Sequence, residues 1–330
     1  MFNKIYVKLK ENIKFILIKF LITVLIFCFI VVPIPNSYII TSGGISLINE
    51  KITIGEDNIK SNYYSAYVNQ LSATIPFYLI SLINKEWDFN KIKSRKNDEL
   101  SSNILLNNSI DNSIILAYKL ANKDVNITNS TNEVTYIFDE ANTTIEVGDN
   151  ILRVDDKDIK SINDYISIIN TKKVGDILRV EVIKNGKSYI RNIEILEENG
   201  IKQTGISIVT NYEYTTNPII NINFSSQESG PSAGLMLFIS IYDALTNSNF
   251  STNKKIVGTG MIDEMGNVLP IGGVEYKFKA AIKENADIFI VGNNTNYQEV
   301  LNIYNQGNYD VKIIPVDNVM EAIKKLEECC

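Results

Sequence analysis

The hydrophobic pattern opens with one nearly unbroken run, FILIKFLITVLIFCFIVVPI, from Phe15 to Ile34, interrupted only by Lys19. At about 1.5 Å rise per residue such a run covers the ~30 Å of a bilayer core, so it predicts a membrane-spanning helix. Residues 38–71 then show short strand-like runs, SYIIT, EKITI and YSAYV. The apolar stretch Ile75 to Ile83 is too short to span and predicts a core helix. Polar residues 85–108, with the run KIKSRKNDE, predict a solvated loop or helix face, and NSIDNSIILAYKLAN (108–122) a further helix. Between 124 and 200 the pattern shifts to short strands around one helix: ILRV (151–154), SINDYISIIN (161–170, helical), then ILRVEVI and SYIRNIEI around the hairpin signal Asn185-Gly186. Further on, Gly230-Pro231-Ser232-Ala233-Gly234 leads into LMLFISIYDAL, apolar on nearly every helical face and hence buried. A strand over 255–262, a Met265-Gly266-Asn267 turn, VLPI, Gly272-Gly273 and the helix VEYKFKAAIKENA follow.

Composition narrows the chemistry. The chain has 330 residues, 45% apolar and 21% charged, enough for two or three folding units and inconsistent with wholesale disorder. It contains no histidine, which excludes a Ser-His-Asp triad, a Cys-His dyad and a His-ligated zinc site. Acid–base work is left to Lys, Asp, Glu, Tyr or Cys. A net charge of -6 offers nucleic acid no electrostatic invitation, and we expect no nucleic-acid partner. Cys28, Cys329 and Cys330 form neither a disulfide framework nor a zinc pattern, so no metal is expected. Lys4, Lys8, Lys10 and Lys14 precede the apolar run against a single acid, Glu11. The positive-inside rule then keeps the N-terminus cytoplasmic and puts everything after Pro35 on the extracytoplasmic side. A cleaved signal peptide is the alternative, but Pro33-Ile34-Pro35-Asn36-Ser37 has no A-x-A-like cleavage site.

Two segments carry candidate catalytic groups. Ser232 falls in the first turn of the buried helix, where Pro231 is tolerated and unpartnered N–H groups form a site for negative charge. Taken alone, an ordinary helix-capping serine explains it as well. In the helix after Gly273, Val274, Phe278, Ala281 and Ile282 form the apolar stripe, Lys277 flanks it, and Lys279 and Lys283 lie on the far side. Partial desolvation of Lys277 would favour its neutral amine; a snorkelling boundary lysine is the plainer reading.

Residues 124–200 resemble a PDZ domain, through Gly148-Asp149-Asn150-Ile151-Leu152-Arg153-Val154-Asp155-Asp156 and Gly175-Asp176-Ile177-Leu178-Arg179-Val180. No glycine-rich carboxylate-binding loop appears in 133–146. From about 205 to 328 the chain resembles the proteolytic domain of Lon-type serine peptidases. The serine motif G-P-S-A-G stands at 230–234, and the lysine motif is met by Thr259-Gly260, Gly266, Val268, Pro270-Ile271-Gly272-Gly273 and Lys277. Ser229 departs from the acid many ATP-dependent relatives carry there, with Glu228 beside it but not equivalent. The resemblance makes Ser232 the nucleophile and Lys277 its base, with Thr259 supporting the lysine and Gly230, Pro231 and Ala233 shaping the loop. No G-x-x-x-x-G-K-[ST] occurs; Gly186-Lys187-Ser188 is a decoy in a hairpin.

The combination resembles membrane-anchored, PDZ-containing Lon-like proteases. It implies an α+β fold: anchor 1–36, an extracytoplasmic region 37–123, a PDZ-like β-rich domain 124–200 and a Lon-type proteolytic domain 201–330. The expected function is ATP-independent, cofactor-free endopeptidase action on peptides or small proteins at the outer face of the cell membrane. Homo-oligomerisation is an expectation by analogy with ring-forming Lon domains. The rival readings are a catalytically inactive membrane-tethered scaffold, and an esterase or self-processing enzyme with the same dyad.

Overall fold

The computed structural model describes residues 2–59, 61–225, 228–251 and 253–329, excepting the side chains of 2–11, 57 and 58. Cys330 and the side chains of Lys4, Lys8, Lys10 and Glu11 lie outside the described residues. The chain divides into two compact units, Met1–Ser42 with Val68–Arg95, and Gly43–Tyr67 with Lys96–Cys330.

In the first unit, α1 (Phe2–Val31) is followed by β1 (Pro33–Leu47), β2 (Tyr63–Thr74), α2 (Ile75–Ser81) and β3 (Trp87–Lys91), with β1 and β2 continuing into the second unit. Within α1, Asn12–Val31 has mean hydropathy 2.7, and no protein covers it. Among the described residues it is the one helix long and apolar enough to cross a membrane. It stops at Val31 rather than Ile34 because Pro33 holds the residue before it away from helical dihedrals. β1 pairs antiparallel with β3, Ser37 opposite Lys91 and Thr41 opposite Trp87. The expectation of a core helix at 75–83 is corrected: α2 has no buried residue, and Leu82 and Ile83 stand exposed. Apolarity located the helix but not what covers it.

The stretch 85–108, expected as a solvated loop or helix face, holds β3 and the start of a helix whose first turn is largely exposed. Arg95 opens α3 (Arg95–Leu120), one helix that also takes in the segment expected to start at 108. Its buried positions include Asn108, Ser109, Asn112 and Ser113, so the face it hides is partly polar and shows no apolar stripe.

The second unit is built around two main sheets. One is built from β4 (Asp124–Ile137), β5 (Asn150–Val154), β6 (Ile177–Lys184), β7 (Lys187–Glu194) and β8 (Ile206–Asn217), in the antiparallel order β7-β6-β5-β4-β8. Its helix α4 (Ile162–Thr171) starts with a capping box between Ser161 and Asp164 and buries Tyr165, Ile168 and Ile169 against Val154, Leu178, Val180, Val182 and Ile193. Asn185 and Gly186 both have positive φ, as the two-residue hairpin predicted. Gly148-Asp149 serves structure here: Asp149, fully buried, pairs with Arg191 Nε at 3.0 Å and accepts from the Glu146 N–H at 2.9 Å. This is the PDZ-like region. Its sheet continues past residue 200, because β8 pairs with β4 from Asn217 opposite Asp124 to Ile206 opposite Ile137.

The other sheet is parallel. β9 (Ile256–Thr259) lies between the first residues of β2 and β12 (Ile288–Gly292), with β13 (Lys312–Val316) beyond. The chain between these strands forms α5 (Gly234–Thr246), the hairpin β10 (Met261–Ile262) with β11 (Val268–Leu269), α6 (Val274–Lys283) and α7 (Thr295–Tyr304), and closes with α8 (Val319–Cys329). Pleating divides the strand residues between two cores. Ile256, Ile288, Ile290, Ile314 and Val316 join α3, α5 and α8, whereas Val257, Phe289 and Val291 join α6 and α7. α5 is buried all round, from Leu235 to Ile241, as its sequence predicted.

Ile193→Ala, at a fully buried position of the PDZ-like sheet, should remove about 2–5 kcal/mol of that region's stability. Faster amide exchange across 124–217, with exchange in β9 and β12 unchanged, is the expected readout.

Candidate active site

β9 ends at Thr259, and α5 and α6, on opposite faces of the parallel sheet, both deliver a residue to that end. Ligands of open parallel sheets gather outside the carboxyl ends of strands, so the location fits a reaction centre.

Ser232 sits in a 3-10 turn, Pro231–Ala233, immediately before α5. Gly230, which caps this turn, has φ 85 and ψ 150, a conformation essentially reserved for glycine. The Ser232 carbonyl accepts from Gly260 N–H at 2.8 Å and from Thr259 Oγ1 at 3.2 Å, and the Gly260 carbonyl accepts from Leu235 N–H at 3.0 Å. The serine loop is thereby fastened to the end of β9. Close packing demands the small residues: a Cβ on Gly258 would stand 2.5 Å from Met236 Sδ and 2.8 Å from the Ile290 carbonyl. Ser232 itself is half-buried, and by position the N–H groups of this first turn lack intrahelical partners.

Lys277 lies in the first turn of α6 and is 4% exposed, so it is buried rather than flanking. Burial pulls its ammonium down to about 7. Its Nζ donates to Thr259 Oγ1 at 3.4 Å. Thr259, fully buried, therefore stands between the lysine amine and the serine carbonyl. Lys277 Nζ makes no direct hydrogen bond to Ser232 Oγ; the connection between the two residues runs through Thr259. Catalytic hydrogen bonds are often long or absent without substrate. Of the other two lysines of α6, Lys279 Nζ stands 5.7 Å from the Tyr276 ring centroid and Lys283 is exposed.

Sequence reasoning missed several residues that hold this arrangement. On α3, Ser109 Oγ donates to the Pro231 carbonyl at 2.8 Å, Ser113 Oγ to the Gly234 carbonyl at 2.9 Å, and Asn112 Nδ2 to the Ile262 carbonyl at 3.2 Å. The same helix reaches β8: Asn108 Nδ2 donates to the Thr210 carbonyl at 2.7 Å, and Asp111 accepts from Tyr214 Oη at 3.1 Å. Burial raises the Asp111 carboxyl to about 6 against these hydrogen bonds. Asn296, buried at the start of α7, clamps Ile271 of the glycine-rich turn by donating to its carbonyl and accepting from its N–H, both at 2.8 Å. Buried serines and asparagines in a polar stretch gave no periodic signal. Glu228, beside the motif's departure at Ser229, is engaged elsewhere: it pairs with Lys51 and accepts from Ser225 N–H at 2.8 Å.

A half-buried serine ahead of α5 and a buried lysine on α6 are thus delivered to one strand end of an α+β scaffold. Residues 125–328 match the family described as the Lon protease (S16) C-terminal proteolytic domain, and the chain belongs to that family. It is 27% identical over 158 residues to the Lon protease of Azospirillum brasilense, covering 48% of this chain and 18% of that protein. With the Lon protease of Elusimicrobium minutum it shares 33% identity over 97 residues, 29% of this chain and 11% of that one. The chain thus spans about a fifth or less of the curated relatives it matches. Among solved structures, the PDZ domain of the SdrC-like protein from Listeria monocytogenes is 25% identical, with a TM-score of 0.23, covering 26% of this chain and 93% of that domain.

A Cβ at Gly234 would collide with Ser109 Oγ, so Gly234→Ala should cost roughly 1–3 kcal/mol of stability. Ser109→Ala in the same chain should recover most of that loss. A double-mutant cycle by thermal unfolding checks it; additive effects would mean that α3 does not bear on the serine loop.

Proposed function

We propose that the chain is a membrane-anchored serine endopeptidase that needs no nucleotide, with Ser232 as nucleophile and Lys277 as general base. The observation that carries this reading is the lysine: buried, drawn to about 7 by desolvation, and hydrogen-bonded to the threonine that also holds the Ser232 carbonyl. Without histidine in the chain, a neutral amine is the strongest base that burial can prepare near neutral pH. Lys277 takes the Ser232 proton as Oγ attacks the peptide carbonyl carbon. First-turn N–H groups beside Ser232 receive the oxyanion, at about 3–4 kcal/mol per good donor. The lysine ammonium returns its proton to the leaving amine, and water, deprotonated by the same amine, hydrolyses the acyl-enzyme. Thr259 is a positioning residue that orients the amine.

Peptides or small proteins are the proposed substrates, cleaved on the extracytoplasmic face if the basic N-terminal segment stays inside. The absence of a phosphate loop in these 330 residues motivates energy independence. The full chain in detergent micelles, given a disordered protein substrate and no nucleotide, should release peptides. Ser232→Ala should release none; if activity survives that change, the nucleophile lies elsewhere, and if the unaltered chain is inert, the scaffold reading gains.

The neutral amine is the active form, so kcat/KM should rise about tenfold per pH unit below pH 7 and level off above it. Lys277→Arg, charged throughout, should abolish turnover with the fold intact.

Stability should also rise with pH, but over a higher window than activity. The folded pKa lies below the unfolded one, so between about pH 7 and 10.5 the unfolded chain keeps a proton that the native state has shed, and stability rises with pH across that window. Below pH 7 the penalty is complete. Lys277→Met should therefore raise the melting temperature at pH 7, by roughly 1–3 kcal/mol equivalent, while eliminating cleavage.

A further inference from the structure

We propose that α2 lies in the membrane interface, so that the chain rests on the bilayer by a second foot beside its spanning helix. This rests on the reading of α1 as an anchor, and everything that carries it lies in the first unit.

Ile75, Leu79, Leu82 and Ile83 are 38, 49, 64 and 86% exposed. Their spacing, i, i+4, i+7 and i+8, puts them on one side of α2 and of the turn that prolongs it, where Leu82 N–H still donates to the Tyr78 carbonyl. The other side is fixed. Phe77 packs edge-on against Trp87 at 5.4 Å between ring centroids, and Tyr78 against Phe89 at 4.8 Å. Held to β3 by its aromatic residues, α2 cannot roll its aliphatic residues inward. Contiguous exposed apolar surface of this kind marks a partner or a membrane.

Three observations choose the membrane. α2 is in contact with α1, whose Asn12–Val31 stretch is the membrane-crossing candidate. Only Val32 separates α1 from β1, so the folded part of this unit begins at the edge of the apolar span. Within the same unit, Trp87 and Tyr78 are partly exposed amphipathic rings, and Lys85, Lys91, Lys93 and Arg95, all exposed, outnumber Glu86 and Asp88. Aromatic rings at headgroup level and basic side chains toward anionic lipid are what an interfacial helix carries. The argument holds whichever leaflet α1 ends in.

The test uses the full chain with Cys28→Ser, Cys329→Ser and Cys330→Ser, reconstituted in phosphatidylglycerol–phosphatidylethanolamine vesicles. Single cysteines at Leu79→Cys, Ile83→Cys and Phe20→Cys carry an environment-sensitive fluorophore. Lipids spin-labelled near the headgroup should quench positions 79 and 83 by roughly half, as a depth of about 5–10 Å implies. Lipids labelled deep in the acyl chain should quench position 20 instead. If position 20 is quenched and 79 and 83 are not, the proposal is overturned while the anchor stands. If none is quenched, both fail. If 79 and 83 are shielded from both lipids and cross-link between copies through Leu79→Cys, a second copy covers α2 and the proposal is likewise overturned.

Discussion

One carbonyl oxygen, that of Ser232, is the point on which the arrangement of the candidate site depends. It accepts from the backbone of Gly260 and from the hydroxyl of Thr259, and that hydroxyl in turn receives the Lys277 amine. Two helices on opposite faces of a sheet share no core, since α5 belongs to one hydrophobic cluster and α6 to the other. The sheet edge they share is the end of β9. Glycines on both sides of Thr259 let α5 pack close against the end of β9: a Cβ on Gly258 would meet Met236 Sδ, and one on Gly260 would meet Leu235. A charged lysine would be costly at such a place, and the neutral amine is what the surroundings select.

The second support comes from outside the region that matches the family. α3 precedes residue 125, yet its serines and asparagines bind carbonyls of the serine loop and of the hairpin after Thr259, and its Ile114, Ala117 and Tyr118 complete the core around α5. The first residues of β2 likewise add a strand to the parallel sheet, and Tyr63 Oη donates to the buried Asp243 at the far end of α5. Part of the scaffold of the proteolytic domain is therefore encoded well before its motifs.

Much of the site was legible in the sequence, because motif residues that need special backbone declare themselves: Gly230 at positive φ, Gly273 in the left-handed region, Pro231 in a first turn. The buried helix after Ser232 and the Asn185-Gly186 hairpin were equally plain, since periodicity and turn chemistry agreed. What failed to show was the polar packing. Asn108, Ser109, Asn112 and Ser113 are buried by hydrogen bonds rather than by apolarity, so the helix over 108–122 was legible but not the polar face it hides. At 75–83 the error ran the other way. Apolar side chains implied a core, but Ile75, Leu79, Leu82 and Ile83 stand exposed. Lys277 was read as a flank because a helical wheel knows its own helix and not the sheet residue facing it.

The lysine's environment carries a further consequence. Its ammonium is disfavoured by desolvation alone, with no neighbouring cation responsible and no carboxylate balancing it. Ion atmospheres screen exposed pairs over about 8–10 Å, but they do not rehydrate a buried amine. The protonation poise of this site is therefore set by packing density and not by ionic strength. Changing salinity would leave the amine's protonation where it is as long as the core around it stays dry.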